Sequence, residues 1–301
     1  MADQIQLRGG TEAENNAFTG AAREVTVDTT NNTLRVHDGT TAGGHYSVSL
    51  PQVSTGGATN ITKTTADFSG EVIGSGNAVT ERGVVYATTE LPNLNDNKVA
   101  DATAGAGTFS VSLTGLTAET KYYVRGYATT ANGTSYGSQA EFTTDFAYAI
   151  GDTGPAGGLI FFVDINNEYD FTYLESSTVD QSTGDAWSDN NTTNIPLTSM
   201  DLGQGSRNTD VVIAGSTTSA ALTASEYSSN GFTDWFLPSR DELNLMYTNL
   251  HCQGLGSFAA DNYWSSSQYN SSNAWRQNFN NGNQNNNAKS NSYRVRAVRL
   301  F

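Results

Sequence analysis

The chain has 301 residues, of which 37% are hydrophobic, 10% aromatic and only 15% charged, and it carries a net charge of −15. That length predicts two or three domains, and the abundance of Gly, Asn, Ser and Thr over charged helix formers favours short strands and turns. The excess of acid excludes a phosphate-neutralising nucleic-acid binder and a protein that docks on anionic lipid.

Cys252 is the single cysteine, which rules out an intrachain disulfide and a cysteine zinc site. The opening MADQIQLRGGTEAENNA lacks an apolar signal-peptide core, and no stretch approaches a membrane span. The expectation is a chain without membrane insertion that leaves a cell by some route other than ordinary secretion.

In chain order, the first element is "REVTVDTTNNTLRVHDGTTAGG". Val25 and Val27 alternate with polar residues, Thr-Asn-Asn-Thr makes a turn, and Leu34 and Val36 alternate again. The pattern predicts a β-hairpin with a second turn at Asp38-Gly39. A unit of about 50 residues buries too little surface to stand alone, so it is expected to associate with copies of itself. The stretch from IQLRGGTEAEN through VTVDTTNNTLRVHDGTTAGG, covering nearly all of residues 4–45, resembles the N-terminal module that opens the major tropism determinant family of phage tail-fibre proteins. The resemblance implies a homotrimeric, intertwined β-prism that attaches to a tail-fibre or baseplate protein.

Short β-runs follow at Ala66–Val72, Arg82–Ala87, Thr108–Leu113, Lys121–Ala128 and Ser138–Thr143, the spacing of a β-sandwich. Leu116 precedes Tyr122 by six residues, just ahead of a strand with Tyr122, Val124 and Gly126 on one face. That is the spacing of a tyrosine corner, whose phenol bonds to upstream backbone. The segment resembles a fibronectin type III domain, with Ala118 where proline is usual, and a spacer role is the default reading.

The third segment opens on "IGDTGPAGGLIFFVD", a turn-rich lead into a buried strand at Leu159–Val163; two Gly-x-y triplets are too few for a collagen helix. Two helices are predicted. One spans Ser219–Tyr227, with Ala220, Ala221, Ala224 and Tyr227 at helical spacing. The other follows the capping box of Ser239 and Glu242, with an apolar stripe of Leu243, Met246, Tyr247 and Leu250.

No catalytic constellation emerges. His37, His45 and His251 lack metal-ligand spacing and read as solvated or capping residues. Gly254-Leu-Gly-Ser-Phe departs from the nucleophile-elbow pattern, and Gly203-Gln-Gly-Ser-Arg lacks the third glycine of a dinucleotide loop. Asp241 and Glu242 sit in a first helical turn, where the macrodipole favours them anyway. Asp185, Asp189 and Asn190 do not form the dense oxygen-ligand loop that calcium needs. Cys252 reads as a small buried hydrophobe. The expectation is a non-enzyme without metal or cofactor.

Ten of the residues from 270 to 291 are asparagine, a composition that alone predicts disorder. Trp264, Trp275, Phe279, Tyr293, Val295, Ala297 and Val298 recur through the same stretch and are large enough to pin it to a core. Arg294-Val-Arg-Ala alternates like a half-buried strand with solvated charges. Rigid anchors under Asn, Ser, Tyr and Gly describe a recognition face, because these residues adapt their hydrogen bonding at modest entropic cost.

"GDTGPAGGLIFF", "GFTDWFLPSRDELNLMYTNL", "YWSSSQYNSSNAW" and "YRVRAVR" resemble the C-type-lectin-fold variable proteins of diversity-generating retroelements, over residues 150–301. In that family a reverse transcriptase rewrites adenines at the 3′ end of the gene. Trp264, Trp275, Phe279 and Gly282, with Trp235, then stand as structural anchors whose codons need no adenine. Ser271, Ser272, Ala288, Ser290 and Ser292 fit products of altered asparagine codons. The resemblance implies ligand contacts at Gln268, Tyr269, Asn270, Ser271, Asn273, Arg276, Asn278, Asn280, Asn281, Asn283, Asn285, Asn286, Asn287, Ser290 and Asn291.

The fold class expected is multi-domain and mainly β: a β-prism-like module at 1–50, an immunoglobulin/fibronectin III-like sandwich at 51–146, and an α+β C-type lectin fold at 147–301. The function expected is that of a homotrimeric phage tail-fibre receptor-binding protein at the fibre tip. It would act outside the cell on a bacterial surface protein or glycan. A host-encoded adhesin of the same variable family, which would need an export signal, is the alternative. A lectin-fold enzyme, which would need reactive cysteines or a metal, is a weaker one.

Overall fold

The N-terminal hairpin forms in the register its alternation predicts. In the computed structural model, which describes residues 7–30, 33–46, 50–73, 78–196 and 198–301, β1 (Arg8–Gly10) leads through helix α1 (Glu12–Ala17) to β2 (Val25–Asp28). Strand β1 lies parallel to β2, and β2 pairs antiparallel with β3 (Thr33–Val36), matching Val25 to Val36 and Val27 to Leu34. β4 (His45–Tyr46) completes the sheet. The predicted turn at Asn31-Asn32 lies outside the described residues. Helix α1 was not predicted, although Thr11 and Glu14 form a complete capping box.

The two faces of this sheet are used in an unexpected way. Thr26, Asp28, Arg35 and His37 are buried, whereas Leu34 and Val36 remain 42% and 43% exposed. The interior is polar and internally bonded. Arg35 Nη2 reaches Asp28 Oδ2 at 2.6 Å, and Arg35 Nη1 donates to Asn16 Oδ1 and the Gly43 carbonyl. His37 is therefore neither solvated nor a helix cap. Its Nδ1 accepts from the Gly20 N–H at 3.2 Å, which leaves Nε2 to face Thr26 Oγ1 at 3.0 Å. Side chains this deep need partners, and each of these four has at least one.

The sandwich comprises β5 (Gln52–Thr59), β6 (Thr65–Ile73), β7 (Val79–Ala87), β8 (Asn97–Ala100), β9 (Gly107–Thr114), β10 (Lys121–Thr130), β11 (Gly133–Tyr136) and β12 (Ala140–Thr143). One sheet has the order β5-β6-β9; the other is β11-β10-β7-β8, with β12 also on β10. Between them lies a core that includes Phe68, Val84, Leu113, Leu116, Val124 and Phe142. The tyrosine corner is present, with the Thr117 N–H donating to Tyr122 Oη at 3.1 Å. Strand β5 was not predicted; Gly56 and Gly57 interrupt it where its register with β6 shifts, between Thr55 and Ala58.

Met1–Ala147 and Tyr148–Phe301 form separate compact units. The second unit holds β13 (Leu159–Val163), β14 (Tyr173–Ser176), β15 (Ser182–Ala186), α2 (Gly205–Ala214), α3 (Ala220–Ser225), α4 (Arg240–Asn249), β16 (Asn262–Gln268), β17 (Asn273–Asn278), β18 (Gln284–Ala288), β19 (Ser292–Val295) and β20 (Val298–Leu300). A three-stranded sheet has the order β13-β14-β20, and a five-stranded one β15-β19-β16-β17-β18. The glycine-rich lead into β13 is folded around the fully buried Glu175. That carboxylate accepts from the Ala156 and Gly158 N–H groups and pairs with Arg299. A Cβ on Gly158 would stand 2.3 Å from the Ser176 carbonyl oxygen, so the backbone there admits no side chain.

Two sequence expectations need correcting here. The C-terminal arginines are not solvated: Arg296 is 1% and Arg299 3% exposed. Arg296 pairs with Asp180 at 2.7 Å, and Arg299 pairs with Glu175 and Asp234. The strand also breaks after Val295, so β19 and β20 serve different sheets. Cys252, expected to be buried, is exposed. Helix α4 carries the predicted capping box, and Glu242 proves fully buried.

Candidate functional site

The asparagine-rich tract is an ordered part of the five-stranded sheet. β17 pairs with β16 on one side and with β18 on the other, in the register Asn273↔Ala288 through Gln277↔Gln284. β18 is an edge strand, and its Asn285-Asn286-Asn287 run gives that edge polar rather than apolar side chains. The ladder is made by the backbone, so side-chain identity hardly enters it.

Beneath the ladder the fit is specific. Trp264 and Phe279 are fully buried and Trp235 nearly so. Phe279 lies 4.5 Å from the Tyr263 ring, and Trp264 donates through Nε1 to the Asp185 carbonyl. Gly282 takes φ +78°, and a Cβ there would meet the Tyr247 ring at 2.6 Å. Two tract glutamines point inward onto α4. Gln277 Nε2 donates to Asn244 Oδ1 at 2.9 Å, and Gln284 Nε2 to the Arg240 carbonyl at 2.7 Å. Trp275 differs from the other named anchors. It is only half-buried, with its ring edge-on to Tyr269 at 5.5 Å and the Arg240 guanidinium 5.2 Å from its centre. Trp187, fully buried and donating to the Ser265 carbonyl at 2.7 Å, is an anchor that the sequence reading omitted.

None of the fifteen candidate contacts is buried, but they do not form one patch. Tyr269, Asn270, Ser271, Ser290 and Asn291 gather where the β16–β17 and β18–β19 turns meet; the Lys289 N–H donates to the Ser272 carbonyl there. Asn280, Asn281 and Asn283 occupy the β17–β18 turn at the other end of β17. Six residues of strand separate the two ends, roughly 20 Å at the rise of an extended chain. Along the ladder, Asn273 and Asn286 share a face with Trp275, while Arg276, Asn278, Asn285 and Asn287 share the opposite one, since neighbours in a strand alternate. Arg276 Nε donates to Asn287 Oδ1 at 3.0 Å.

Several candidates have local work. Asn270 Oδ1 accepts from the Ser272 and Asn273 N–H groups, Asn278 Oδ1 from Asn280, and Asn281 Oδ1 from Asn283. Each is a side chain closing a turn on its own backbone. Gln268 is turned toward the segment 190–196, where its Oε1 accepts from the Ile195 N–H at 2.8 Å and its Nε2 bonds Asn194 Oδ1. Tyr269, Asn280, Asn283, Asn285 and Ser290 are exposed.

Lys289 was not anticipated. It is fully buried, and burial pushes its ammonium down to about 8. Nothing local in the sequence signals this, because its partners are Thr193, Gln268 and the Trp187 ring. The candidate calcium ligands are committed elsewhere: Asp185 accepts from Ser182 and Thr223, Asp189 from Thr217, and Asn190 donates to the Gly215 carbonyl. Among the described residues no group of three His, Cys, Asp or Glu is placed to hold a metal ion, and no helix is long and apolar enough to cross a membrane.

Comparison with known proteins gives two family matches. Residues 5–41 match the Major tropism determinant N-terminal domain, and residues 176–299 match the Lcl C-terminal domain. The N-terminal module is thus similar to the opening domain of major tropism determinants. The tail fiber receptor-binding protein of Bordetella phage BPP-1 is a relative, 64% identical over 44 residues. That alignment covers 15% of this chain and 12% of the phage protein. Similar solved structures include the sixth fibronectin type III domain of human fibronectin type III domain containing protein 3 (23% identity, 35% of this chain and 96% of that one, TM-score 0.27). Another is a fibronectin III domain of human collagen XX (17% identity, 32% and 93%, TM-score 0.24). The sandwich rests on its own strand pairing.

Proposed function

We propose that this chain is a phage tail-fibre receptor-binding protein that sets host tropism. The tropism-determinant module would trimerise and attach to the fibre, the sandwich at 51–146 would act as a spacer, and the C-terminal unit, read as a C-type lectin fold, would bind a bacterial surface ligand without making or breaking a bond. The observation that carries this reading is the tract's construction: a backbone ladder and buried Trp, Phe and Gln side chains below, exposed Asn, Ser and Tyr above. A surface built this way changes its contacts without changing its fold. The Val25, Val27, Leu34 and Val36 stripe, displayed over a polar interior, supports self-association, and three copies would turn weak contacts into avidity.

The test is adsorption of the full chain to a panel of bacterial strains, followed by Asn280→Ala, Asn283→Ala, Asn285→Ala and Ser290→Ala combined. Lost adsorption with an unchanged melting temperature is the expected result; adsorption that survives the four substitutions overturns the assignment of the tract. Sequencing the 3′ end of the gene across a phage population tests diversification, which requires variation confined to adenine positions.

A further inference from the structure

The segment Asn190–Pro196 lies outside the tract, yet the tract holds it. Lys289 Nζ donates to the Thr193 carbonyl at 3.1 Å and to Gln268 Oε1 at 2.8 Å. Gln268 in turn accepts from the Ile195 N–H and donates to the Ile195 carbonyl at 3.2 Å. Ile195 itself is buried in the core with Trp187, whose ring lies 4.9 Å from the Lys289 ammonium. Around that pinned residue, Asn191, Thr192, Thr193, Asn194 and Pro196 are exposed. Their amides and hydroxyls match the chemistry of the tract, and they stand at the end where Tyr269, Asn270, Ser271, Ser290 and Asn291 gather.

We propose that Asn190–Pro196 is a second contact element of the recognition surface, and that Lys289 and Gln268 are positioning residues that hold it there. A buried lysine that donates to a backbone carbonyl and an amide oxygen is costly to keep. Its ammonium spends its hydrogen bonds on a loop carbonyl and on the glutamine that grips the same loop, the arrangement expected of a clamp. The loop offers uncharged donors and acceptors, so it fits a neutral, hydrogen-bonding part of the host ligand. The contact role rests on the receptor-binding function proposed above; the positioning role does not.

Hydrogen exchange on the full chain tests positioning without any ligand. Lys289→Met preserves length and apolar bulk but removes the donor. The Ile195 amide, which donates to Gln268, should then exchange at least about tenfold faster, as expected for loss of a charge-assisted bond, while the melting temperature does not fall. Gln268→Leu, which opens the clamp from the other side, should expose the same amide and serves if Lys289→Met does not fold. Unchanged exchange in the folded variants overturns the positioning role. For the contact role, Asn191→Lys with Thr192→Lys should leave exchange intact and cut adsorption about tenfold to a strain that the full chain binds, through loss of hydrogen bonds at the interface. Adsorption unaffected by this pair but abolished by the tract substitutions overturns the loop as a contact and leaves the tract's role standing. Adsorption unaffected by either set overturns both.

Discussion

Glu242 accepts N–H bonds from Ser239, Gly203 and Gly205 while fully buried, using both carboxylate oxygens. It therefore ties the start of α4 to the loop that leads into α2. Burial still raises its pKa from 4.5 to about 7. The folded chain thus holds that proton more tightly than the unfolded chain does. Its contribution to stability is greatest at low pH and falls as pH rises from about 4.5 to about 7, by about 3 kcal/mol at most. Glu242→Gln removes the titration and puts an NH2 against one of the three donors. Chemical denaturation at neutral pH should show a loss of about 1–3 kcal/mol, and the variant should lack the wild-type slope between those pH values. A parallel slope in both proteins would assign the titration to another group.

Helix α4 was legible because its determinants are local. Ser239, Glu242 and the Leu243–Leu250 stripe lie within three turns of chain, and the aromatic spacing of the tract announced an ordered segment despite its asparagines. Helix α2 was missed because its sequence, GSRNTDVVIA, is rich in β-branched residues that disfavour helix. The C-terminal arginines were misjudged because their partners lie far off in sequence: Asp180 is 116 residues from Arg296, and Glu175 is 124 from Arg299. Burial of that kind leaves no periodic trace. Within the tract, alternation also failed to separate Trp275, half-buried beside Tyr269, from Trp264 in the core. The turn at Gly282 permits a sharper test of what a glycine does. Asparagine tolerates positive φ better than alanine, but either Cβ meets Tyr247. Gly282→Asn should therefore be no more stable than Gly282→Ala, each losing about 1–3 kcal/mol on thermal denaturation. A clear advantage for Asn would mean that φ, and not space, is what Gly282 supplies.

At the scale of the molecule, the division after Ala147 predicts that residues 148–301 fold alone, melting cooperatively when expressed without the rest. A non-cooperative melt would mean that the second unit needs the first. The N-terminal module makes the opposite prediction, because its apolar stripe faces outward. On the trimeric reading proposed above, Leu34→Asp with Val36→Asp should leave the polar interior intact and give monomers on light scattering; a wild-type chain that is already monomeric would refute self-association through this face. The turn asparagines Asn270, Asn278 and Asn281 carry a consequence for heredity. A codon AAC altered at its adenines can yield serine, aspartate or glycine, and these are residues that also close tight turns. On the proposed retroelement reading, about a quarter of the altered codons at those positions would encode residues that the backbone already accepts. Those offspring would inherit a folded protein with a new face.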